Sequence, residues 1–212
     1  MPTKQDLLKV IKMIRKILLF LIPIIITVSL CGCVGYRETN GGLVVSLIGI
    51  DREGDEIKMS VQTVLPDTEG NVDCDTVFAK AKNIESAYNK LRQKTVKPLI
   101  FEHCVGVGLG STLKKSDILV FLNFAEQKND INLSINFFCT ENAFDFLAES
   151  GEIYRQGGYD VIELIKNNNE DFYNKLFMIK RELYKGKSAK LPFIRLEDDE
   201  AVIYKTVILG ES

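Results

Sequence analysis

The stretch Leu43-Val-Val-Ser-Leu-Ile-Gly-Ile50 decides the fold, because a nearly continuous apolar run of this length is typical of a strand buried inside a sheet. Residues 51–55 supply turn residues, and Ile57-Lys-Met-Ser-Val-Gln-Thr63 then alternates apolar and polar side chains. Alternation of this kind places every second side chain on the buried face of a strand. The two stretches therefore predict an antiparallel hairpin whose first strand is central in the sheet.

Helical and strand-like segments follow this hairpin along the chain. Apolar residues at helical spacing predict helices, and Asn142 is a suitable N-cap for a short helix that ends at Glu149. Residues 66–75 are predicted to form an exposed loop. The other predicted helices span 83–94, 111–126, 159–166 and 170–185, and the predicted strands span 99–109, 131–138, 191–196 and 201–209.

These segments predict an α+β fold, with an antiparallel or mixed sheet and helices packed mainly on one face. Residues 43–150 are expected to form an N-terminal α+β domain. Residues 151–212 are expected to be a helix-rich segment that leads into the start of a further, incomplete domain, because the chain stops shortly after its last strand-like run.

The first 33 residues have the layout of a lipoprotein signal peptide. Basic residues within 9–16 precede the apolar-rich stretch 17–30, which falls short of the about 20 residues that a membrane-spanning helix needs. The sequence Leu30-Cys-Gly-Cys33 then resembles the lipobox of bacterial lipoproteins, in which the cysteine receives a diacylglyceryl group and becomes the first residue after cleavage. We therefore predict that Cys33 is the lipidation site.

Two alternatives to this prediction stay open. One is an uncleaved signal anchor, and the other is acylation of Cys31, although Leu30 then stands where a small residue is needed. With Cys33 as the acceptor, residues 1–32 are the signal peptide and residues 33–42 form a polar, glycine-rich tether. The protein is then expected to be lipid-anchored on the outer face of the cytoplasmic membrane, since two acyl chains together hold stably in a bilayer.

The composition argues against several classes of function. The chain of 212 residues carries 27 basic and 29 acidic residues, a net charge of −2, without the basic stripe of nucleic-acid binders. Its five cysteines include no Cys-x-x-Cys pair, so neither a zinc site nor a thioredoxin-like motif is predicted. Cys74, Cys104 and Cys139 are expected to be thiols, with at most one disulfide among them.

His103 and Cys104 form the most tempting catalytic pair in the sequence. Adjacent residues of a strand point to opposite faces, however, so these two side chains are not expected to meet. We expect His103, the single histidine, to be a packed and hydrogen-bonded structural residue.

Two further motifs are given structural interpretations. Gly106-Val-Gly-Leu-Gly-Ser111 lacks the last glycine of a dinucleotide-binding loop and the Gly-Lys-Ser/Thr of a P-loop, so we predict a tight strand-to-helix turn. Asp198-Asp-Glu200 lacks the alternating oxygen ligands of a calcium loop and is predicted to be a solvated turn. No catalytic residue, cofactor-binding residue or metal ligand is therefore predicted, and the protein is not expected to be an enzyme.

A series of short strings occurs in a fixed order between residues 30 and 150. They are Cys33, Tyr36-Arg-Glu38, Leu43-Val-Val45, Gly49-Ile-Asp51, Val61-Gln62, the helix 84–91, the strand 101–108 with His103 near its start, the helix ending at Phe124, and residues 130–138. In this order and spacing they resemble the Ger(x)C family, the lipoprotein C subunits of spore germinant receptors.

The resemblance implies a non-catalytic subunit, anchored at the inner spore membrane, that works with two integral-membrane subunits, A and B, in the nutrient sensing that triggers germination. It carries over one functional residue, Cys33. Family members usually continue with further α+β domains, so the resemblance also implies a short or truncated member. The alternative function is a generic exported lipoprotein that binds a small solute for uptake, although a cleft between two lobes needs a longer chain.

Overall fold

The computed structural model describes residues 12, 13, 15–17, 19, 41–66, 72–132, 134–154, 156–167 and 175–209. The chain divides into two compact units, residues 1–38 and 39–212. In the first unit the described positions are helical and exposed, whereas Cys31 and Cys33 lie outside the described residues. Among the helices of the described residues, none has both the length and the apolar character needed to cross a membrane.

The second unit has strands and helices mixed along the chain, which confirms the predicted α+β class. Its strands are β1 (Leu43–Glu53), β2 (Glu56–Pro66), β3 (Val72–Ala81), β4 (Leu99–Ile100), β5 (Gly106–Gly110), β6 (Asn136–Thr140), β7 (Ala189–Glu197) and β8 (Glu200–Leu209). Its helices are α1 (Ile84–Lys94), α2 (Lys115–Gln127), α3 (Ala143–Ile153), α4 (Gly158–Asn167) and α5 (Leu176–Tyr184).

The strands form one mixed sheet in the order β3-β2-β1-β5-β6-β7-β8, with β4 paired to β1 beside that path. The β1–β2, β2–β3 and β7–β8 pairs are antiparallel, and the β1–β5, β5–β6 and β6–β7 pairs are parallel. β1 is therefore central, as predicted, and forms the predicted hairpin with β2, whose turn places Gly54 at a φ of 59°. β7 and β8 extend the same sheet, so the segments on both sides of residue 150 share one layer.

Helices cover both faces of this sheet. α1, α2 and α5 pack on one face, over a core that includes Ile50 and Val107. α3 and α4 pack on the other, over a core that includes Leu47 and Phe138. We call these the α1–α2–α5 face and the α3–α4 face. Three of the described helices thus lie on one side of the sheet and two on the other.

Alternating glycines in β5 allow the α3–α4 layer to approach the sheet closely. Gly106, Gly108 and Gly110 all face this layer, while the apolar residues between them are buried in the opposite core. A Cβ added at Gly108 would lie 3.1 Å from the ring of Phe138, and one added at Gly110 would overlap Oδ1 of Asp51. Residues 106–111, predicted as a strand-to-helix turn, therefore belong mainly to a strand. The face of that strand towards α3 and α4 carries no side chains, because it is made of glycines.

Several boundaries differ from those predicted from the sequence. The strand expected over 99–109 is interrupted, because residues 101–105 form a loop between β4 and β5. The strand expected from residue 131 begins at Asn136, and part of the loop expected over 66–75 belongs to β3. The predicted cap is confirmed, since the Asn142 side chain accepts a hydrogen bond from the Asp145 N–H at 3.2 Å.

We expect Gly110→Ala to lower the free energy of unfolding by about 2 kcal/mol, because a methyl group there overlaps the Asp51 carboxylate and overpacking of this kind costs about 1–3 kcal/mol. Gly41→Ala is the matched control, since a Cβ at that position meets no atom within 4 Å. Urea denaturation of the wild type and both variants measures the change in the free energy of unfolding. Equal stability of the two variants would contradict the close-approach explanation.

Candidate functional site

The carboxyl ends of the parallel strands β1, β5 and β6 lie together at one end of the sheet, where open α/β sheets usually bind ligands. α3 begins at Ala143, shortly after β6, so the first turn of that helix lies at this end of the sheet. The N-terminus of a helix carries a partial positive charge and free N–H groups, and it therefore attracts an anion.

In this protein the anion at the start of α3 is the side chain of Asp51. Its Oδ1 accepts a hydrogen bond from the Ala143 N–H at 2.7 Å, and its Oδ2 accepts one from the Phe144 N–H at 3.0 Å. Burial raises the pKa of the Asp51 carboxyl above its ordinary value, while these two hydrogen bonds and the charge of Lys58 act in the opposite direction. The N–H groups that could hold a bound anion are thus already satisfied by the chain itself.

The next residue, Arg52, holds a helix on the opposite face of the sheet. Its guanidinium makes a bidentate pair with Asp117 in the first turn of α2, with Nε to Oδ2 at 2.8 Å and a terminal nitrogen to Oδ1 at 2.5 Å. Asp117 also accepts the backbone N–H of Lys114 at 3.0 Å. Hydrogen bonding to Arg52 is the main reason that the pKa of Asp117 is lowered.

A buried glutamine joins both helices of the α3–α4 face to the sheet. Oε1 of Gln62 accepts hydrogen bonds from the Ser46 hydroxyl and from the Gly158 N–H, each at 2.7 Å. Its Nε2 donates to the Leu147 carbonyl at 2.8 Å and to the Ser150 hydroxyl at 3.2 Å. The amide therefore uses its full hydrogen-bonding capacity in connecting β1, β2, α3 and α4.

A shallow groove of about 370 Å³ lies on the outside of the α1–α2–α5 face, between α1 and α2. Phe124 lies in its floor and packs edge-on against Tyr88, with the ring centroids 5.2 Å apart. The Tyr88 hydroxyl donates to Asp130 at 2.8 Å, and burial raises the pKa of this tyrosine to about 12. The groove is lined by Asn83, Ile84, Glu85, Val120, Asn123, Phe124, Gln127 and Lys128. The lining combines amides and apolar side chains with one acid, Glu85, and one base, Lys128.

A second hollow lies between the end of α3 and the β7–β8 turn and is rich in acids. It is lined by Glu149, Glu152, Ile153, Leu196, Asp198 and Asp199. Asp198 and Asp199 form the tight turn of the hairpin, with φ values of 49° and 62°, as in a type I′ turn. Within the described part of the chain no group of three or more potential ligands could hold a metal ion.

The residues with catalytic potential are separated in the structure. His103 is exposed in the loop between β4 and β5, so the expectation that it is packed was wrong; the loop breaks the strand on which that expectation rested. Cys74, Cys104 and Cys139 are free thiols. Burial raises the pKa of Cys104 and of Cys139 to about 12, so both are protonated at neutral pH and are poor nucleophiles.

Sequence reasoning missed the roles of Asp51 and Gln62. Both belong to strings that carry the family resemblance, Gly49-Ile-Asp51 and Val61-Gln62, but their partners are distant in the sequence. Asp51 meets a helix that begins 92 residues later, and Gln62 binds a helix that begins 96 residues later. For Asp51 the available signal was an acid directly after an apolar strand, whereas nothing in the alternating stretch 57–63 marks Gln62 as buried.

Comparison with known proteins gives a match to a protein family. The family model described as the spore germination protein N-terminal domain matches residues 35–196. That range contains every described strand and helix of the second unit up to β7. No curated protein and no solved structure matches the chain.

We expect Asp117→Asn to lower the free energy of unfolding by about 2 kcal/mol at pH 7, because it breaks the ion pair with Arg52. The pKa of Asp117 is lower in the folded than in the unfolded protein, so its stabilising effect is complete above the unfolded pKa of about 4. That effect is lost as the pH falls through the folded pKa.

The difference between Asp117→Asn and the wild type should therefore shrink on acidification from pH 7 to about pH 2.5. Urea unfolding at a series of pH values measures it, with Glu163→Gln on the exposed side of α4 as the control. A difference that stays constant with pH would show that the ion pair does not have the assigned role.

Proposed function

Since this chain belongs to the family of the spore germination protein N-terminal domain, we propose that it is the lipid-anchored C subunit of a nutrient germinant receptor. The family match over residues 35–196 is the observation that carries the proposal. In this role the protein assembles with the integral-membrane A and B subunits and takes part in triggering germination. Its place is the outer face of the cytoplasmic membrane, which is the inner membrane of the spore.

The lipid anchor is proposed at Cys33. The Leu30-Cys-Gly-Cys33 sequence supports it, and so does the position of this cysteine just ahead of the compact unit that begins at Thr39. An acyl pair at Cys33 would hold the folded domain near the bilayer through the tether of residues 33–42. One acyl chain gives only marginal membrane binding and two give a stable anchor, so a diacylglyceryl group suffices.

A non-catalytic role is supported by the way the polar side chains are used. Asp51, Arg52 and Gln62 are each engaged in holding helices against the sheet. The buried thiols are protonated at neutral pH, and His103 is exposed in the loop between β4 and β5. The fold thus acts as a scaffold whose exposed surfaces, such as the α1–α2 groove, are available for protein contacts.

Cys33→Ala should release the protein from the membranes of sporulating cells while leaving the fold intact, because the substitution removes the acyl acceptor and no part of the folded unit. Cys31→Ala is the matched control and should leave both processing and membrane retention unchanged. Fractionation combined with intact-mass analysis makes the measurement, with residues 33–212 plus a diacylglyceryl group as the expected wild-type species. A Cys33→Ala protein that still sediments with membranes would overturn the assignment of the anchor.

Assembly is tested separately from anchoring. The tagged protein, extracted in mild detergent from forespore membranes, should co-purify with two multi-span membrane proteins in fixed stoichiometry. Quantitative mass spectrometry measures the ratio. A lipidated protein that purifies alone under conditions that preserve other membrane complexes would leave the anchor in place and contradict the receptor role.

A further inference from the structure

The two edge strands of the sheet, β3 and β8, differ in how far other residues cover their outer backbone groups. At the β3 edge, Nζ of Lys94 donates to the Phe78 carbonyl at 2.8 Å, and Nζ of Lys90 donates to the Lys80 carbonyl at 3.0 Å. Both lysines belong to α1, which packs beside this strand. Lysines at an edge block the addition of another strand, so the last part of the β3 edge is covered.

Among the described residues, no strand pairs with the outer edge of β8. Its start is covered, because the Ala201 N–H donates to the Tyr154 hydroxyl at 2.5 Å. Beyond Ala201, no described residue makes a hydrogen bond to the outer side of β8. Tyr204 and Ile208 are 52 % and 43 % exposed, so apolar surface accompanies the free backbone groups. A strand edge with these properties is a ready template for an added strand.

Positive charge lies beside this open edge. Lys205 of β8 is exposed, and it shares its face with Arg195 of β7, whose guanidinium carbon lies 3.9 Å from the centre of the Tyr204 ring. Nε of Arg195 is buried without a hydrogen-bond partner, and neither cation forms an ion pair with another described residue. Lys205, whose Nζ lies 4.9 Å from the centre of the Phe193 ring, is the exposed cation that an incoming carboxylate can reach.

A second copy of this chain fits the edge poorly. Because Tyr154 occupies the outer side at Ala201, the free part of β8 is the segment 203–209. Antiparallel pairing of two such segments about a two-fold axis at Thr206 places Lys205 opposite Val207 of the other copy and diagonally next to its Lys205 on the same face. Residues 203–209 contain no acid, so this pairing brings the two lysines near each other and gives neither an ion-pair partner.

From these observations we infer that β8 is a docking edge for an extended segment of another protein, which adds as a strand and places an acidic side chain beside Lys205 and Arg195. The segment alternates apolar or β-branched residues with the acid, because it must also cover Tyr204 and Ile208. Main-chain hydrogen bonds supply the affinity of such a complex, and the charged pair supplies the selectivity. This inference stands independently of the proposed receptor role.

The test uses the full-length protein in mild detergent and two fluorescein-labelled peptides, Thr-Val-Thr-Glu-Thr-Val-Thr and its counterpart with a central Lys. Fluorescence anisotropy at low salt measures both affinities. We expect the acidic peptide to bind about fivefold more tightly, which is the effect of exchanging an attractive for a repulsive cross-strand pair. Lys205→Glu should reverse the preference, whereas Lys82→Glu, the same charge change on an exposed residue near the far edge, should leave it unchanged.

Circular dichroism confirms that each variant is folded, as expected for substitutions at exposed positions. Equal affinity for the two peptides, or no binding of either, would overturn the inference. So would a preference that survives Lys205→Glu. Light scattering that shows a dimer dissociated by Lys205→Glu would assign the edge to a second copy instead.

Discussion

The end of β1 fixes the positions of both helical layers. Because side chains alternate along a strand, the neighbours Asp51 and Arg52 leave the sheet on opposite faces, where Asp51 receives the first N–H groups of α3 and Arg52 binds Asp117 of α2. A slip of β1 by one residue would exchange the two, and a cation would then face the positive end of a helix. The register of the central strand therefore determines where α2 and α3 can pack on the sheet.

Much of the architecture could be predicted from local patterns. The central strand and its hairpin follow from the run 43–50 and the alternation in 57–63, and the cap at Asn142 follows from side-chain chemistry. The interruption of the strand expected over 99–109 could not be predicted, because Phe101, Cys104 and Val105 are typical of a strand and the glycines of β5 give no sign of which face is buried. The edge strand β3 was missed, because Asp73, Asp75 and Thr76 interrupt the apolar residues of its first half.

The candidate site was predictable to a smaller degree, because its contacts are long-range. The residues next to Asp51 in the sequence do not indicate that its carboxylate will accept hydrogen bonds from a helix that begins at Ala143. The lipidation of Cys33 is different in kind: it rests on a short processing signal that requires no folded structure, and it stays a prediction. The family match covers residues 35–196, which include Asp51 and Gln62 but not Cys33. The polar side chains of the matched fold hold its helices against the sheet.

The seam between β6 and β7 has a mechanical consequence. Within the described residues these strands are joined by the single bridge between Cys139 and Phe193. In contrast, β1 and β2 pair along almost their whole length. A force applied to the β7–β8 hairpin therefore crosses the sheet through this bridge and through side-chain packing on both faces, with Phe193 in one core and Ile194 in the other, rather than through a ladder of hydrogen bonds that share the load. We expect this hairpin to detach from the sheet under tension before the central strands separate.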